Sequence, residues 1–94
     1  MTVELALEGA SRETAQTVFN ALDAYKTRLR ASIDRTQRNL KKFEIRYSVS
    51  TALFLREGVA EDLAGGDLEY VEWAGEAKLL ERLKTELKGL ESVR

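Results

Sequence analysis

The chain has no proline, no cysteine and no histidine among its 94 residues. Without proline, no long helix is interrupted from within. Without cysteine, there is no disulfide framework and no thiolate chemistry. Without histidine, the commonest general base, the common zinc ligands and every Ser–His or Cys–His nucleophile pair are missing. These absences point away from an enzyme, so no catalytic, cofactor-binding or metal-binding residue is nominated. No apolar run approaches the ~20 residues of a membrane span. Nor does the N-terminus show the basic region and apolar core of a secretory signal. The sequence therefore predicts a cytoplasmic protein without membrane attachment.

What is present is apolar (44%) and charged (33%) in the proportions of a folded, helix-rich chain rather than a disordered one. Residues 1–94 fit one domain by length. A chain of this size buries only roughly 60–70% of its unfolded surface, and an extended one buries less. Size alone thus favours self-association, a homodimer foremost, or a protein partner.

The charges are segregated. Residues 26–46 carry eight bases against two acids, whereas residues 57–76 carry seven acids and no base. The net charge of −1 conceals this arrangement. Two helical arms of opposite sign would attract each other as a hairpin.

The apolar pattern gives the arms their shape. Val3, Leu5 and Leu7 alternate with polar or small residues up to Gly9, which reads as a short strand over 2–8, with an early helical turn as the alternative. Ser11 is placed to cap a helix over 11–47. Its seam runs Ala15, Val18, Leu22, Tyr25, Leu29, Ile33, Thr36, Leu40, Phe43, Tyr47, with a stutter around Tyr25 and Ile33. Ser48 and Ser50 read as caps for a short helix over 51–58. Gly65, Gly66 and Asp67 read as a turn and N-cap ahead of a third helix over 68–91. There the seam is Trp73, Glu76, Leu80, Leu83, Leu87, Leu90.

The predicted fold is all-α: a long antiparallel, coiled-coil-like hairpin with a short connecting helix and a short N-terminal strand. Pairing of two copies would give a dimeric four-helix bundle. The hairpin core falls to Leu29, Ile33, Leu40, Phe43, Trp73, Leu80, Leu83 and Leu87. Folded back, the third helix spans about 36 Å and covers roughly residues 23–47. Val3, Leu5, Leu7, Val18 and Leu22 are then left for a dimer or partner contact. Arg35, Arg38 and Lys42 would face Glu69, Glu72 and Glu76. Exposed ion pairs contribute only about 0–1 kcal/mol each, so these charges select the register while buried apolar side chains hold it.

Four sharper ideas compete with this. Glu69, Glu72 and Glu76 share a face, but inward di-metal sites also need a Glu-x-x-His motif. An ion-pair face fits better, with an arginine of the first helix as the counter-ion of Glu76. The basic 26–46 helix, with Tyr25, Phe43 and Tyr47, could bind nucleic acid. Its aromatics fall on the seam, however, and the acidic block neutralises it. A strand followed by a helix is also the layout of ribbon-helix-helix repressors, but Glu4 and Glu8 give that strand the wrong sign for DNA. Trp73 reads as a core anchor, with a partner-facing hot spot as the alternative.

Phe43-Glu44, Tyr47-Ser48, Ser50-Thr51 and Phe54, followed by Gly65-Gly66-Asp67-Leu68-Glu69-Tyr70, Glu72-Trp73, Glu76 and Leu80, Leu83 and Leu87, form a recognisable pattern. It resembles small bacterial and archaeal helical-hairpin proteins with an F-E-x-x-Y-G-[MV]-S-[ST]-x-x-F motif, an acidic turn, E-W and a leucine-rich helix. Some of these resemble the antitoxin half of two-gene systems. The resemblance covers about residues 40–90 and implies protein–protein binding without catalysis. Ser48 stands where that family usually has glycine. The function expected is thus a non-enzymatic interaction protein, with a structural homo-oligomer or a nucleic-acid-associated protein as alternatives.

Overall fold

The computed structural model describes residues 11–57 and 68–93. They form three helices: α1 over Arg12–Tyr47, α2 over Thr51–Arg56 and α3 over Leu68–Glu91. The strand expected over 2–8, with Val3, Leu5 and Leu7, lies outside the described residues. So do Gly58 and the turn at Gly65, Gly66 and Asp67.

Helix α1 runs 36 residues without interruption, about 54 Å at 1.5 Å per residue. Neither proline nor glycine occurs within it. Ser11 begins it as an N-cap, its hydroxyl accepting the Thr14 N–H at 3.1 Å. At the other end Ser48 takes a left-handed conformation, φ 56° and ψ 40°. The Val49 N–H then reaches back to the Glu44 carbonyl at 3.2 Å. This six-residue closure is how glycine-ended helices stop. Ser48 therefore ends α1 rather than starting α2. Ser50 alone caps α2, accepting the Leu53 N–H at 3.1 Å. That helix stops at Arg56, short of the 51–58 expected, with the Glu57 N–H bonded to the Leu53 carbonyl.

Helix α3 folds back antiparallel along α1. Glu69 meets Tyr47 and Arg46, Glu76 meets Asn39, Glu86 meets Tyr25 and Glu91 meets Arg30. Leu29, Ile33, Thr36 and Leu40 on α1 are buried, with Phe54 of α2 and Trp73 of α3. The register leaves the first turns of α1, up to about Leu22, with no helix beside them among the described residues. The all-α hairpin is thus the observed architecture.

Candidate interaction surface

The closed end of the hairpin is an aromatic lock. Trp73 is fully buried, with Phe54 stacked on it at 4.0 Å between ring centroids and an interplanar angle of 3°. Phe43 and Tyr47 also stack on Trp73, at 5.5 and 5.7 Å. Tyr70 meets Tyr47 and Phe54 edge-on. Aromatic pairs of this kind contribute about 0.5–1.5 kcal/mol each beyond the area they bury.

A polar relay fixes α2 over this stack. The Trp73 indole N–H donates to the Thr51 hydroxyl oxygen at 2.9 Å. The Thr51 backbone N–H donates to the Glu44 carboxylate at 2.8 Å. That backbone bond, then a bond with the Thr51 side chain, holds the Glu44 carboxyl below its ordinary range, against a smaller opposing effect of burial. The Tyr47 hydroxyl donates to Glu69, which also pairs with Arg46 at 2.9 Å. Among the described residues, no buried side-chain polar atom lacks a partner. Phe43, Glu44, Tyr47, Ser48, Ser50, Thr51, Phe54, Tyr70 and Trp73 thus converge on one corner, and what they do there is close a hairpin.

On the other flank of the hairpin a groove of about 620 Å³ runs between α1 and α3. Asn39, Lys42, Phe43 and Arg46 line one wall, and Glu69, Glu72, Gly75 and Glu76 the other. At ~100° per residue, Asn39 and Arg46 leave the α1 seam on the side opposite Glu44, which holds α2. The groove and α2 therefore occupy opposite flanks. A Cβ added at Gly75 would meet nothing within 4 Å.

The open end is held differently. The Tyr25 hydroxyl donates to Glu86, and Arg30 pairs with Glu91 at 3.2 Å. The bond to Glu86 raises the Tyr25 phenol above its ordinary value, with burial and the Glu86 charge acting in the same sense and Arg28 in the opposite one. Val18, Phe19 and Leu22 are half-buried. A smaller cleft of about 290 Å³ is lined by Phe19, Leu22 and Val93 among others.

The residues expected to set the register separate into distinct roles. Glu69 takes Arg46 as its partner. Glu76 accepts from the Asn39 amide at 3.3 Å rather than from an arginine. Lys42 and Glu72 line the groove, Arg35 donates to Ser32 at 3.3 Å, and Arg38 is exposed. Leu80, Leu83 and Leu87 are half-buried along α3. Sequence pattern alone gives Glu44 and Thr51 no role of their own. The local signal for them is a glutamate in the last turn of one helix, seven residues before the first residue of the next. Among the described residues, no group of three acidic side chains could hold a metal ion, and no helix is long and apolar enough to cross a membrane.

Compared with family models, curated proteins and solved structures, the chain matches none.

Proposed function

We propose that this chain is a non-enzymatic interaction protein, antitoxin-like in acting by covering a partner's working surface, and that it does so as a dimer. One observation carries this. Helix α1 continues its apolar seam for about three turns beyond the reach of α3, leaving Val18, Phe19 and Leu22 half-buried with no helix beside them among the described residues. Each large apolar side chain that gains full burial stabilises by about 1.5–3 kcal/mol, so this stretch is suited to receive a second chain. The alternation of Val3, Leu5 and Leu7 supports a strand that pairs across the same contact. The resemblance over residues 40–90 favours the antitoxin-like version of the reading.

The test is co-expression with the products of neighbouring genes. A stable complex with one of them, lost in Val18→Lys while the thermal melt of this chain is unchanged, is the expected result. Absence of any complex, with the neighbour harmless when expressed alone, defeats the antitoxin-like role.

A further inference from the structure

The α1–α3 groove carries a charge pattern that one copy of the chain leaves incomplete. Tyr47 meets Glu69 and Asn39 meets Glu76, so Lys42 and Glu72 lie at one level between them. Both line the groove. Among the described residues, neither makes an ion pair or hydrogen bond. The basic wall extends down α1 by heptads, from Lys42 to Arg35 and Arg28, and Leu68, Glu72, Gly75 and Leu79 follow one stripe of α3. Leu68 on that stripe is 73% exposed. Gly75 is a poor residue for a helix interior, and a Cβ placed there would meet no atom of the described residues within 4 Å.

We infer that this flank is the self-association face, and that its occupant is a second copy of the chain placed by a two-fold axis parallel to the helices. The inference rests on the proposal that the chain is a dimer; it places the contact between copies on this flank and leaves the stretch around Val18, Phe19 and Leu22 for the partner protein. Such an axis lays α1 of one copy over α3 of the other and keeps each residue at its own level. Lys42 of one copy then meets Glu72 of the other, twice. Between the levels of Asn39 and Arg46 the basic wall covers the acidic wall of Glu69, Glu72 and Glu76, with Arg35 level with Leu79; all neighbouring helices run antiparallel, and Gly75 lets the facing helix approach. An axis across the helices would instead lay α1 on α1, basic wall on basic wall. The area is adequate. Where its helices overlap the hairpin is about 36 Å long, and it is 22 × 19 Å across. One flank thus offers roughly 700 Å² per protomer, near the ~800 Å² per side of a standard stable interface.

The full chain and three variants, Lys42→Glu, Glu72→Lys and Gly75→Trp, test this by sedimentation equilibrium, with circular dichroism as the check on folding. The wild type is expected to dimerise. Each charge reversal should weaken its own homodimer at least about tenfold, because each places like charges together twice. An equimolar mixture of the two reversals should dimerise again. In that mixed pair the introduced acid faces the introduced base at one contact, and the unaltered Lys42 faces the unaltered Glu72 at the other. Gly75→Trp should be monomeric with its helix signal intact. A wild-type dimer that all three variants leave unchanged overturns this face while the dimer itself stands. Weakened single reversals that the mixture fails to restore overturn the axis. A wild type that stays monomeric at micromolar concentration overturns both this face and the dimer.

Discussion

At the closed end of the hairpin, four aromatic rings gather around one buried indole, and a threonine ties that indole to a carboxylate on the opposite helix. Roughly 30 Å along α1, the open end has half-buried leucines and polar bridges at the surface. Both ends join the same two helices through the same periodic seam. They differ in what a single lost side chain can do. A stacked ring shares several partners, so its removal opens a cavity. A surface bridge such as Arg30–Glu91, with both side chains about half exposed, exchanges readily for water. The hairpin is therefore anchored at one corner and adjustable at the other, where the stretch of α1 with no helix beside it among the described residues also lies.

The largest expected effect is Trp73→Ala, which should cost about 3–5 kcal/mol. Leu87→Ala, near the open end, should cost about 1–2 kcal/mol, since its side chain is only half-buried. Chemical denaturation measures both, and equal costs would erase the contrast between the ends. Thr51→Val comes next. It removes the acceptor of the Trp73 N–H and a bond to Glu44, for about 1–3 kcal/mol. Its signature is a shifted tryptophan emission at unchanged helix content.

A third measurement uses pH. Because Glu44 is held below its ordinary value in the fold, its contribution is fully present above the unfolded glutamate value of about 4.3 and is lost as pH falls through the folded value. Glu44→Gln should melt below wild type at about pH 7, and the two should converge near pH 3. Parallel curves would mean that the carboxylate does not hold α2. The smallest effect is a gain. Ser48→Gly relieves a left-handed serine at some cost in unfolded-state entropy, for a net stabilisation of about 0.5–1 kcal/mol. In a domain this small, that raises Tm by roughly 2–8 °C.

The seam was legible because helical period is local. Steps of three and four residues keep Leu29, Ile33, Thr36 and Leu40 on one stripe whatever packs against them. The closed corner was legible only as a pattern. Nothing local says that Glu44 turns back to the N-terminus of α2, or that Thr51 both donates its backbone N–H to that carboxylate and accepts the Trp73 indole N–H. Ion-pair partners were less legible still. Arg38 stands about 160° around α1 from Leu40, too far round to reach Glu76, and Asn39 beside the seam reaches it instead. Ser48 read locally as a cap for the next helix. That it takes the glycine conformation is a property of the turn as built.

The length of α1 has a hydrodynamic consequence. The molecule measures 58 × 22 × 19 Å, nearly three times as long as it is wide. A rod of this proportion drags more solvent than a sphere of equal mass and elutes early from a sizing column. A single copy would then be mistaken for a pair, so the stoichiometry of this chain has to be weighed rather than sized.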